Sequence, residues 1–487
     1  MPENLITRRH RDSKYITRRN FERDRDRILY SRPFRRLSGK TQVFLTSSHD
    51  YVRTRLTHTF EVAQIARDIA IRLHLDDILA EAIALGHDLG HTPFGHVGEQ
   101  ALNQVMNGCE RIVACQETMG PRQKGFKHNL QSCRVAQILS RLYLGEGGLN
   151  LTNFTLWGMA NHSVLEWGNC SFLEDETTCR LRTTPRECPS RGKTFVGYYD
   201  KHLKASLVKN TGGQLAPAWS FEGLVVRLAD EIAQRHHDLE DALVTRIVTP
   251  AEIVGILQEL FGPLLVSEGH EEDKHFFKEM SIYAKKQHQP CQESAFMPYL
   301  SRFILNLLKK QLVGHSKRVL AQLYESFGIE SQQDFDNVYF DIPVGEAEQA
   351  IGYDNECLEA DEKLKTFLGE RVLNSFHAQR MDGVGRYVIR NLVDAYMANP
   401  QQLPDKIIGS LIIDLEGRRL TPRDPQTFGA FREKVKILHN SSSNTSFQVK
   451  LLRTVCDHIA GMTDRYAFAE FQQLYGSVPL RTFDAMP

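Results

Sequence analysis

The sequence has no long apolar run. Nothing in its 487 residues approaches the ~18 consecutive apolar positions that a membrane-spanning helix needs, which excludes a membrane protein. Its start, MPENLITRRHRD, is positively charged but lacks the apolar segment of a secretory signal. Acids between Asp12 and Asp26 interrupt the basic stretch and argue against a transit peptide. Cysteine is sparse: nine residues, an odd number with no CxxC pair, as expected of reduced thiols in a cytosol. Cys170, Cys179 and Cys188 are evenly spaced, but structural zinc sites use tight pairs. There is no fixed-period repeat and no low-complexity tract. What remains, 41% hydrophobic and 25% charged, is the composition of a soluble, cytoplasmic globular protein.

Net charge is zero, with 60 Lys and Arg against 60 Asp and Glu, yet residues 1–40 hold 13 basic and 5 acidic side chains. This basic N-terminal arm reads either as a solvated segment paired with its own acids, or as a surface for phosphates, single-stranded nucleic acid or another subunit.

Apolar residues at Leu56, Phe60, Ala63, Ala66, Ile69, Ala70 and Leu73 recur every three to four positions and predict a helix over 54–73. The same period predicts helices over 76–89, with Asp76 or Asp77 as cap, and over 96–106, 129–143 and 221–239. Further along it returns over 298–312, 385–397 and 451–474. Strand-like alternation is confined to 337–343 and 406–415. The chain is therefore expected to be all-α. Residues 41–265 form the core domain, interrupted by a loop-rich insertion over 166–218. A polar stretch around 267–292 separates it from a mostly helical C-terminal region, 266–487.

The informative stretch is TRLTHTFEVAQIARDIA followed by EAIALGHDLGHTPFGHVGEQAL. It puts His58 on one helix and the adjacent His87 and Asp88 at the end of the next, between Gly86 and Gly90. Neighbouring helical side chains diverge by about 100°, so the pair can converge on one ion only where a helix end gives backbone freedom. Farther on, Asp230 lies on a helix with Gln234 and His237 on the same face. Two neutral imidazoles and two carboxylates suit a divalent ion such as Mn, Mg, Fe or Zn and leave coordination positions open. Packing alone explains one buried histidine, but not His87, His91 and His96 within ten residues, interleaved with Gly and Pro.

The series H…HD…D over His58, His87–Asp88 and Asp230 resembles the HD-domain metal-dependent phosphohydrolases. The strings RPFRRLSGKTQVF, RTRLTHTFEVAQIAR, HDLGHTPFGHVGE, FKHNLQS, ADEIA–HDLEDA and DHIAGMTDRYA are similar, in order, to the deoxyguanosine triphosphate triphosphohydrolase family within them. The resemblance implies an HD-domain fold with a helical C-terminal lobe. It also implies hydrolysis of a deoxynucleoside triphosphate to deoxynucleoside and inorganic triphosphate. By the same resemblance His58, His87, Asp88 and Asp230 are the metal ligands. His96 and Glu99 are the catalytic pair, an assignment that their i, i+3 spacing also supports. His96 would activate water or protonate the leaving oxygen. Arg55, His91 and His128 match phosphate contacts, and Gln42, Val43 and Asp238 match sugar and base contacts. Where relatives carry Tyr, this chain has Gln234, which bears on nucleotide preference. Relatives are homo-oligomers and some respond to a nucleotide activator. Two other readings stay open: an HD-type phosphodiesterase or nucleotidase acting on another phosphoester, and a nucleotide-sensing or nucleic-acid-binding protein that keeps the fold.

Overall fold

The computed structural model describes residues 2–10, 18–42, 53–107, 125–140, 147–163, 206–266, 269–285, 290–416, 427–441 and 445–476. Val43 and most of the 166–218 insertion, with its three evenly spaced cysteines, lie outside them. Nineteen α-helices and one two-stranded hairpin occur among the described residues, so the chain is all-α. No helix among them is long and apolar enough to cross a membrane.

Helix α1 (Asn20–Leu29) and the short α2 (Arg32–Arg36) precede α3 (Arg55–Arg72), α4 (Asp77–Gly86), α5 (Gly95–Met106), α6 (His128–Arg134) and α7 (Asn153–Asn161). The hairpin of β1 (Leu207–Lys209) and β2 (Leu215–Pro217) leads into the long α8 (Phe221–Val244). Then come α9 (Pro250–Phe261), α10 (Glu271–Lys285), α11 (Pro290–Ser326), α12 (Gln332–Val338), α13 (Val344–Ala350) and α14 (Asn355–Leu368). The C-terminal helices are α15 (Phe376–Ala398), α16 (Asp405–Glu416), α17 (Thr427–Asn440), α18 (Thr445–Ala460) and α19 (Asp464–Tyr475).

Local chemistry sets the helices that matter most. Thr54 caps α3 by accepting from Thr57 N, Asp76 caps α4 through Ile78 N and Leu79 N, and Ser220 caps α8 through Gly223 N. These three pack together around Val62, Ala66, Ile69, Leu79, Ile83, Val225, Ala229 and Ile232. Each fully buried Leu or Ile there contributes about 1.5–3 kcal/mol. This first core extends through α14. A second forms from α15 to α19 and takes in Ala101, Leu102, Val105 and Met106 of α5. Helix α5 is therefore packed by the second core.

The structure corrects several expectations. Residues 406–415 lie in α16: Ile407, Ile408, Leu411, Ile412 and Leu415 follow the helical period, which outweighs their β-branched content. The run 337–343 is the end of α12 and a turn, where Tyr339 stacks on Trp219 at 4.9 Å. The expected helix over 129–143 gives way to a π-helical turn at Val135–Leu139, and that over 451–474 breaks between α18 and α19. Some described arginines of the basic arm pair with its own acids, whereas Arg9, Arg27 and Arg36 donate to the backbone carbonyls of Gln137, Asn150 and Gly461. Arg8 holds the fully buried Asp24, Arg18 holds Asp26, and Arg25 lies between Asp26 (3.2 Å) and Glu81 (3.6 Å).

Candidate active site

Helix α4 stops at Gly86, and residues 87–90 turn sharply toward α6. Gly90 is required here, because a Cβ would stand 2.2 Å from Ser132 N and 2.4 Å from His128 O. Ser132 Oγ accepts from Gly90 N (2.8 Å) and donates to His87 O (2.6 Å), which fixes the turn on α6. The bend lets two adjacent residues, His87 and Asp88, face one point.

Three helices meet at that point. His58 Nε2 of α3 lies 3.0 Å from Asp230 Oδ1 of α8. His87 Nε2 lies 3.3 Å from Asp88 Oδ1 and 3.9 Å from Asp230 Oδ1. All four residues are buried. His87 Nε2 and Asp230 Oδ1 are nonetheless without a hydrogen-bond partner, an arrangement that is costly unless something else sits between them. His87 Nδ1 is 2.6 Å from Ala84 O, which can only accept, so Nδ1 carries a hydrogen and Nε2 is the nitrogen that faces the cluster. Burial alone would raise both carboxyls. The imidazoles of His58 and His87 hold Asp230 below the ordinary carboxylate range, and His87, His91 and Arg55 do the same for Asp88. Two ionised carboxylates and two imidazoles within coordination distance fit a divalent ion, and His58, His87 and Asp230 could hold one.

A second cluster adjoins the first through Asp88. His91 Nε2 is 3.3 Å from Asp88 Oδ1, and the His91 ring stacks on His128 at 3.9 Å. Arg55 Nη1 donates to Asp88 Oδ2 (2.7 Å), while its Nε and Nη2 are buried without partners. Glu99, buried on α5, accepts from His128 N (2.8 Å) and lies 3.0 Å from His128 Nδ1 through the same oxygen. Its other oxygen is 3.4 Å from His96 Nδ1. The pair expected from sequence is thus a loose contact, since the His96 side chain is 67% exposed, whereas Glu99 engages His128 closely. His128 Nε2 meets His162 Nε2 at 3.1 Å, and His162 Nδ1 donates to Met159 O at 2.8 Å. Burial, then the charges of His87 and His128, lower His162 to about 3, so it is neutral.

The segment that carries His96 is held by the C-terminal helices. Phe94 is left-handed at φ 61 without being glycine, and Gly95 follows at φ 58. Asp464, first residue of α19, accepts from Phe94 N (3.0 Å), from Thr41 N (2.8 Å) and from Thr41 Oγ1. The fully buried Lys40 donates to His91 O and Ala460 O, and burial pushes its ammonium down to about 7. In the sequence Asp464 appears only within the string DHIAGMTDRYA. Here it binds two segments of the candidate site.

Of the sugar and base candidates, Gln42 keeps its Oε1 buried and unpartnered, and its backbone O lies beside Gly95. Gln234 donates to Asp230 Oδ2 (3.0 Å), so it touches the metal-type cluster. Burial lifts the Asp238 carboxyl to about 6 against the opposing charges of Arg235 and His96. Sequence reasoning did not single out His162, Lys40 or Glu61. Only contacts across long sequence separations reveal them.

Residues 55–137 match the HD domain family, and residues 351–411 and 428–473 match the phosphohydrolase-associated domain. The chain is therefore an HD-domain phosphohydrolase. A deoxyguanosinetriphosphate triphosphohydrolase-like protein of Geobacter metallireducens is 32% identical over 455 residues, covering 93% of this chain and 88% of the relative. One of Bordetella pertussis is 31% identical over 476 residues, 97% and 94% of the two chains. The chain belongs to this family of deoxyguanosinetriphosphate triphosphohydrolase-like proteins.

Proposed function

We propose that the protein hydrolyses deoxynucleoside triphosphates, dGTP or others, to deoxynucleoside and inorganic triphosphate with a divalent metal ion. The observation that carries this reading is the buried convergence of His58, His87, Asp88 and Asp230, with His87 Nε2 and Asp230 Oδ1 unpartnered at its centre. The names of the relatives support the substrate class.

These four residues would hold the ion, which when bound supplies Lewis-acid polarisation of a phosphoryl oxygen and of water. Mn, Fe, Mg and Zn all suit the mixed imidazole and carboxylate set. Arg55, with two donor nitrogens unused, and the stacked His91 and His128 would bind phosphate oxygens. Glu99 orients His128 through one oxygen and approaches His96 through the other. His96, exposed at the start of α5, would exchange a proton with water or with the departing 5′ oxygen. Water adds its hydroxyl to the α-phosphorus, the bond to the 5′ oxygen breaks, and that oxygen takes up the proton. Gln42 and Asp238 would contact the sugar.

The test is an endpoint assay with Mn²⁺ or Mg²⁺ and each of the four dNTPs, with products resolved by ion exchange. Deoxynucleoside plus triphosphate is expected. Release of monophosphate or orthophosphate would overturn the reading.

A further inference from the structure

The candidate ligand His58 has a second partner. Its Nδ1 lies 3.4 Å from Nδ1 of His237, with the rings edge-on at 5.2 Å. His237 is fully buried on α8, two turns beyond Asp230, and its Nε2 lies 2.6 Å from Glu61 Oε2. Glu61 sits one turn beyond His58 on α3 and is one-third exposed. Its Oε1 accepts from Arg53 Nε (3.2 Å), and Arg53 also holds Glu240. Each of the two helices therefore supplies one candidate ligand and one support for the other helix.

The hydrogens along this chain run in one direction. Glu61, beside the Arg53 guanidinium, is a carboxylate and only accepts, so His237 Nε2 carries a hydrogen and donates. A neutral His237 then offers the lone pair of Nδ1. His58 Nδ1 must donate to it, so the nitrogen left to give up its proton and offer a lone pair to an ion is Nε2, which faces Asp230. The opposite tautomer would point a hydrogen into the cluster. For His87 the carbonyl of Ala84 imposes the same choice directly. For His58 no backbone carbonyl does so among the described contacts, and the choice is delegated through two side chains.

We propose that His237 and Glu61 are positioning residues that fix the tautomer and orientation of His58 for metal binding. This rests on the assignment of His58 as a ligand. The rival use of the same groups, an ion held by Glu61, His236 and His237, is disfavoured because Arg53 already occupies the Glu61 carboxylate and holds Glu240, which His236 Nε2 also faces at 3.1 Å.

The experiment compares the full chain with Glu61→Gln and His237→Gln, and with Glu271→Gln as a remote surface control. Mn²⁺ alone is titrated by calorimetry, and the imidazole tautomers are read from ¹⁵N-histidine spectra of metal-free protein, with His58 assigned by its loss in His58→Gln. The expected result is 10–100-fold weaker Mn²⁺ binding in both test variants, the range of outer-shell effects, with loss of the single Nδ1–H form of His58. The control should match wild type, and Glu61→Asp should recover part of the affinity. Unchanged affinity in the variants overturns the proposal. So does weaker binding with the His58 tautomer intact, which would mean a merely structural role. Should one variant fail to fold, the other gives the same reading. A wild-type chain that binds no Mn²⁺ would instead refute the ligand assignment itself.

Discussion

His58, His87, Asp88 and Asp230 come from helices of one core, whereas His96, Glu99 and His128 sit where that core meets the second. The first group is buried, and its geometry is set by capped helices and a glycine-dependent turn. The second hangs on a left-handed Phe94, on Asp464 of α19, and on a helix whose far end belongs to the other core. A metal-type cluster needs fixed lone pairs, and rigid packing provides them. Groups that must meet a substrate need access, and the seam between cores leaves His96 open to solvent. On the proposed function one region holds the ion and the other reacts, and mutations should separate the two.

The largest effect is expected from Asp230→Ala, which removes one carboxylate from the metal-type half. Mn²⁺ binding and hydrolysis should be lost together. Full metal occupancy in the variant, measured by atomic emission, would break the division. Glu99→Gln comes next. It should lower kcat by about 10²–10⁴, the usual worth of a proton-transfer group, while Mn²⁺ affinity stays near wild type. A parallel fall in metal affinity would merge the two halves. Asp464→Asn keeps the volume but weakens the acceptor for Phe94 N and Thr41 N. About 1–3 kcal/mol of stability should go, together with a drop in kcat but not in Mn²⁺ affinity. Unfolding titrations and calorimetry check both.

The smallest effect on activity concerns charge burial on α8 itself. Burial, opposed by Arg53 and reinforced by Asp238, lifts the Asp241 carboxyl to about 7. An unfolded Asp ionises near 3.9. The folded state therefore retains a proton that the unfolded state has lost between pH 4 and 7, and stability falls as pH rises through that window. Asp241→Asn cannot ionise, so its Tm should gain on wild type from pH 4 to 7 and level off above. A pH-independent difference between the two would contradict this.

Much of this was legible in the sequence because helical periodicity is a local signal. His58, the HD pair and Asp230 declare themselves by residue type and by the helices around them. The misread strands at 337–343 and 406–415 are short apolar runs that period alone cannot separate from helix ends or buried helix. The supports were illegible for a different reason. Lys40 meets Ala460 across 420 positions, and Glu99 meets His128 across 29 positions, 17 of them outside the described residues. His162 and Glu61 carry no pattern of their own. Their meaning depends on which nitrogen of a neighbouring ring they face, and only three-dimensional placement fixes that.

The most direct test of the account is hydrolysis of dGTP in H₂¹⁸O with Mn²⁺, followed by mass spectrometry of the products. Attack at the α-phosphorus predicts one ¹⁸O in inorganic triphosphate and none in the deoxynucleoside. Label in the deoxynucleoside, or in released orthophosphate or pyrophosphate, would contradict it.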